Sequence, residues 1–114
     1  MKTVKYDFRG HAALITGGTG GIGGAIAEAL AIAGADVVVQ GRQWEPAVDE
    51  LLVRCRSHGV RAAFVAADLF GPPEQTVDAV FHAAIHAEPG IDLLVNNAGG
   101  CARYGPFCEM TFAQ

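Results

Sequence analysis

Apolar residues along this chain fall into short unbroken runs that alternate with stretches of helical spacing. The first run, Ala12 to Ile15, predicts a strand over residues 11–16. From Ile22 the spacing changes, and Ile22, Ile26, Ala29, Leu30 and Ala33 form one stripe at helical period, predicting a helix over residues 21–33. Gly34 follows as a residue that stops a helix. Val37, Val38 and Val39 stand in a row within residues 36–40, and a run without alternation implies a strand buried on both faces. Pro46 suits a first helical position, and Val48, Leu51, Leu52 and Cys55 supply the inner face of a helix that ends before Gly59. A third strand is expected over residues 60–67 and a third helix from Pro72-Pro73, with the stripe Val77, Val80, Phe81, Ala84 and Ile85. After Gly90, residues 91–96 read as a fourth strand. The order β-α-β-α-β-α-β implies an α/β fold, a doubly wound parallel sheet of the Rossmann type with right-handed crossovers and helices on both faces.

Between the first strand and the first helix lies Thr16-Gly17-Gly18-Thr19-Gly20-Gly21-Ile22-Gly23, with five glycines. A helix start leaves backbone N–H groups unpaired and carries a partial positive charge of about half an electron, so a strand, a glycine turn and a helix start together form an anion site. Side chains there would hold a diphosphate away from the amides. The spacing alone is open to three registers: Gly18, Gly20 and Gly23; Gly17, Gly20 and Gly23; or Gly17, Gly21 and Gly23. A Walker-type phosphate loop is excluded, because the only lysines are Lys2 and Lys5.

Composition narrows the class. With 114 residues, half of them apolar, and a net charge of -4, the chain reads as one globular domain with no basic cluster, so neither nucleic acid nor a membrane is an expected partner. Cys55, Cys101 and Cys108 are few and odd in number, and no apolar leader precedes the first strand, so the cytoplasm is the expected compartment. His82 and His86 stand four apart but lack the intervening glutamate of a zinc-binding helix, and no metal ligand is assigned.

Four features, in this order and spacing, resemble the short-chain dehydrogenase/reductase family, single-domain branch. They are Thr16-Gly17-x-x-x-Gly21-Ile22-Gly23; Asp68 after the third strand; Asp92-Leu93-Leu94-Val95 running into Asn96-Asn97-Ala98-Gly99; and Gly105-Pro106-Phe107 with Met110-Thr111 beyond. The resemblance selects the register Gly17, Gly21 and Gly23. It implies a nicotinamide dinucleotide cofactor and hydride transfer with a small carbonyl or alcohol. By the same resemblance Gly17, Gly18, Thr19, Gly20, Gly21, Ile22 and Gly23 would wrap the diphosphate, and Asp68 with the backbone of Leu69 would meet the adenine. Asn96, Ala98 and Gly99 would lie beside the nicotinamide ribose, and Asn97 would stabilise the sheet.

The end of the second strand bears on which cofactor. An acid there would accept hydrogen bonds from the ribose hydroxyls of NAD, whereas a cation suits the added phosphate of NADP. Here Gln40-Gly41-Arg42 stands, with no acid between Asp36 and Glu45, so NADP(H) is favoured over NAD(H).

The family's catalytic serine and Tyr-x-x-x-Lys have no counterpart. Ser57 is the only serine, in the second helix, and Cys108 stands four residues after Tyr104. No catalytic residue is assigned. The chain is therefore expected to be the N-terminal, cofactor-binding half of such a protein over residues 1–114, inactive alone and marginal or self-associating by itself; two other readings stay open, a non-catalytic dinucleotide-binding or regulatory module and a truncated remnant without function. A full-length form would be compatible with a homo-oligomer.

Overall fold

The computed structural model describes residues 5–99. Within them the elements are β1 (Ala12–Ile15), α1 (Gly21–Ile32), β2 (Asp36–Gly41), α2 (Pro46–Arg56), β3 (Ala62–Ala66), α3 (Pro73–Ala87) and β4 (Leu93–Val95). The four strands form one parallel sheet in the order β3-β2-β1-β4, with Leu14 opposite Val38 and Leu94. The alternation expected from the apolar runs is the one observed.

Burial on both faces explains the unbroken runs. Ala13, Ile15, Val37 and Val39 pack under α1 and α2, whereas Leu14, Val38 and Val65 pack against Val80 and Ala84 of α3. Each such valine, leucine or isoleucine side chain contributes about 1.5–3 kcal/mol when fully withdrawn from water. Helix α2 buries Val48, Leu51, Leu52 and Cys55, the face its spacing predicts. Its carbonyl end turns at Gly59, and α1 stops at Gly34 with φ +98°, the left-handed conformation that glycine adopts without strain.

Two helix faces differ from expectation. Helix α1 buries Gly23, Ala27 and Ala31 rather than the predicted stripe, leaving Ile22 74 % exposed, while Ile26 and Leu30 pack only partly against the core. The smallest side chains face the sheet because the helix sits close to it, and bulk is displaced to the flanks. Helix α3 buries Thr76, Val80 and Ala84, but Val77, Phe81 and Ile85 stay about half exposed. Its apolar stripe is wider than the surface the described sheet covers. No helix among the described residues is long and apolar enough to cross a membrane.

Candidate functional site

The site lies at the carboxyl ends of the strands, where β1 turns into α1. Gly17 has φ +61°, and a Cβ there would come within 2.8 Å of the Ala98 Cα. A Cβ on Gly23 would overlap the Gly17 carbonyl oxygen and lie 2.6 Å from the Asn97 side-chain nitrogen. These two glycines let the helix start descend onto the turn. Gly20 and Gly21 are different: nothing lies within 3.8 Å of a Cβ on either, so the fold itself leaves that space open. Gly20 is the N-cap of α1 and offers no side chain to cap it.

The backbone amides divide in the same way. Gly17 N–H donates to Gln40 Oε1 at 2.9 Å, Gly18 N–H to Gln40 O at 2.9 Å, and Gly24 N–H to Gly20 O at 2.7 Å. Among the described residues the N–H groups of Thr19, Gly21, Ile22 and Gly23 have no hydrogen-bond partner. Four unpaired donors at the positive end of a helix make a site for an anion.

One wall of the site is the loop after β4. The Thr16 hydroxyl accepts the N–H groups of Asn97 and Ala98, each at 3.1 Å, and Asn97 Nδ2 donates to Gly17 O at 3.1 Å. Asn97, expected to stabilise the sheet, thus ties the β4 loop to the glycine turn. Asn96 stands on the other side of the strand, beside Val77, Phe81 and Leu94 around a cavity of about 230 Å³.

Two larger cavities meet at the turn. One, of about 440 Å³, is lined by Gly17, Thr19, Gln40, Gly41, Arg42, Ala67, Leu69, Phe70, Ala98 and Gly99. The other, of about 400 Å³, is lined by Gly17, Gly20, Gly21, Ile22, Gly23, Asn97, Ala98 and Gly99. Gly17, Ala98 and Gly99 border both. Arg42 is exposed at the rim of the first cavity and makes no salt bridge among the described residues. Asp68 does not line that cavity, although Leu69 beside it does; its Oδ1 accepts the Phe70 N–H at 2.9 Å in a tight turn that presents Leu69 and Phe70.

Gln40 and Phe70 line the first cavity and were not among the residues expected there from the sequence. The signal for Gln40 was a polar residue closing the buried run Val37-Val38-Val39. Phe70 carried no comparable signal. Cys101, Tyr104, Cys108 and the residues Gly105-Pro106-Phe107 and Met110-Thr111 of the fourth motif lie outside the described residues.

Comparison with known proteins bears on the same segment. A family model described as short chain dehydrogenase matches residues 11–114. The chain is 37 % identical over 115 residues to the 2-dehydro-3-deoxy-D-gluconate 5-dehydrogenase of Formosa agariphila, covering all of this chain and 42 % of that protein. The L-sorbose reductase of Gluconobacter frateurii, solved with NADPH and L-sorbose, superposes with a TM-score of 0.76 at 37 % identity, covering 94 % of this chain and 40 % of that one. A xylitol dehydrogenase solved with bound NAD+ superposes with a TM-score of 0.77 at 28 % identity, covering 91 % and 39 %. The chain spans about two fifths of the length of these relatives.

Proposed function

The chain belongs to the short-chain dehydrogenase family, and from that premise we propose that it supplies the dinucleotide-binding part of an oxidoreductase that moves hydride between NADP(H) and a small carbonyl or alcohol. The observation that carries the reading is the junction of two cavities at four unpaired amides. A dinucleotide has that shape, two nucleosides joined through a diphosphate. The open space over Gly20 and Gly21 fits a diphosphate approaching the N–H groups of Thr19, Gly21, Ile22 and Gly23.

In this reading the adenosine half occupies the cavity beside Arg42, Leu69 and Phe70, with Asp68 acting by shaping the Leu69 loop. The nicotinamide half lies toward Ile22, Ala98 and Gly99, with Asn96 at its margin. The bound cofactor supplies the hydride chemistry. The residues of this chain bind and orient it, and none is assigned to proton transfer. The relatives solved with NADPH and with NAD+ show that the fold accommodates either, so the choice rests on Arg42. An unpaired guanidinium at the rim supports NADP(H), because a charge-assisted bond to the added phosphate is worth about 1.5–3 kcal/mol.

Titrating the protein that carries this sequence with NADPH and NADH tests the proposal. Arg42→Ala is expected to weaken NADPH about ten- to a hundredfold and NADH far less. Equal losses would refute the preference, and absence of binding to either dinucleotide by the folded, unsubstituted protein would refute the function.

A further inference from the structure

Gln40 bonds to both sides of the first cavity through a single side chain. Its side chain is buried, 3 % exposed, at the end of β2. A primary amide in such a place is costly unless both of its ends are bonded. Here Oε1 accepts the Gly17 N–H at 2.9 Å, and Nε2 donates to Ala67 O at 2.7 Å. Gly17 opens the glycine turn. Ala67 precedes Asp68 and the loop that presents Leu69 and Phe70. The backbone of the same residue adds a third tie, since Gln40 O accepts the Gly18 N–H at 2.9 Å.

Two consequences follow from this bonding. The Gly17 and Gly18 amides are already engaged, so an anion meets only the donors further along the turn. The backbone bonds from Gly18 N–H to Gln40 O and from Ala67 N–H to Gly41 O, both 2.9 Å, also hold the turn and the loop to β2, and to these the Gln40 side chain adds a direct link that must donate at one end and accept at the other. An ionised glutamate accepts at both ends and would repel the Ala67 carbonyl. A shorter asparagine cannot reach both partners.

We propose that Gln40 is a positioning residue that sets the width of the adenosine cavity, and so governs affinity for the adenosine diphosphate part of the cofactor through Gly17 and Ala67 rather than by touching the reacting atoms. The inference rests on the dinucleotide reading. ADP-ribose is a suitable probe, because it carries the adenosine diphosphate without the nicotinamide. In the protein that carries this sequence, Gln40→Glu is expected to weaken ADP-ribose about tenfold or more at pH 8. Affinity is expected to return as acidification protonates the new carboxyl and restores a donor to Ala67 O, while the unsubstituted protein stays flat over the same range. Gln40→Asn is expected to show a loss that acidification does not reverse.

A measurement on the unsubstituted protein keeps the test independent of whether either variant folds. On titration with ADP-ribose, the amide resonances of Thr19, Gly21, Ile22 and Gly23 are expected to shift downfield, and that of Gly17 to stay in place. A Gly17 shift equal to theirs would overturn the inference, as would ADP-ribose affinity unchanged in both variants. Failure of the unsubstituted protein to bind ADP-ribose, NADPH or NADH would remove the dinucleotide reading and this inference with it; binding without the Gln40 effects removes the inference alone.

Discussion

The two ends of the same sheet treat polar groups in opposite ways. At the amino ends of the strands, polar side chains are matched with one another: Arg61 bridges Asp36 at 3.1 Å and Glu88 at 2.9 Å, and His11 Nδ1 lies 2.6 Å from Asp92 Oδ2. At the carboxyl ends, four amides and the Arg42 guanidinium are left unpaired among the described residues, around two cavities. Polar groups that serve only the fold find partners within it. Those left without partners, at a helix start and over open space, coincide with the proposed dinucleotide site.

The sharpest way to break this comparison uses two glycines two residues apart. Gly23→Ala is expected to cost about 3 kcal/mol or more, because its methyl would overlap backbone that cannot move aside, and a denaturation midpoint would show it. Gly21→Ala meets nothing within 4 Å and is expected to keep stability within about 0.5 kcal/mol. The same methyl would hold a diphosphate off the amides, so NADPH affinity is expected to fall about tenfold or more. Similar behaviour of the two variants in both measurements would erase the distinction between glycines required by packing and glycines required by a ligand.

At the opposite end, Arg61→Ala leaves the Glu88 carboxylate, 5 % exposed, with the Gly90 N–H at 3.3 Å as its remaining partner. A stability loss of about 2 kcal/mol is expected, with NADPH affinity unchanged. A variant that lost affinity instead would show that the two ends are coupled. The pairing of Arg61 and the proposed role of Arg42 thus give two arginine substitutions with opposite readouts.

The smallest expected effect is one of pH. The Asp92 carboxyl is held below its ordinary 3.8, first by the Ala12 N–H that it accepts and then by His11. A depressed carboxyl adds stability that is fully present above 3.8 and is lost as pH falls through the lower folded value. Asp92→Asn is therefore expected to melt below the unsubstituted protein above that pH, with the gap closing on further acidification. A gap that persisted at low pH would assign the effect to packing of β4 rather than to the carboxylate.

Much of this architecture was legible in the chain. The unbroken Val37-Val38-Val39 run meant a strand covered on both faces, and the structure buries all three. The face of α2 was legible because Val48, Leu51, Leu52 and Cys55 recur at helical spacing on one side, whereas Val53 falls off that stripe and is 64 % exposed. The same reasoning failed on α1, where bulk is a poor guide: the closest approach belongs to Gly23, Ala27 and Ala31, and Ile22 points away. Hydrophobic spacing reports how much a side chain gains from burial. It does not report how near the backbone must come.

The sequence by itself determined the order of elements, the place of the glycine turn and the absence of an acid between Asp36 and Glu45, because periodicity, turn chemistry and charge are properties of neighbours along the chain. Only the tertiary structure decided which amides stay free, that Asn97 rather than Asn96 reaches the turn, that Asp68 bonds its own loop, and that Gln40 joins Gly17 to Ala67. The last two of those partners are 23 and 27 residues from Gln40 along the chain, and such bonds exist only once parallel strands stand side by side.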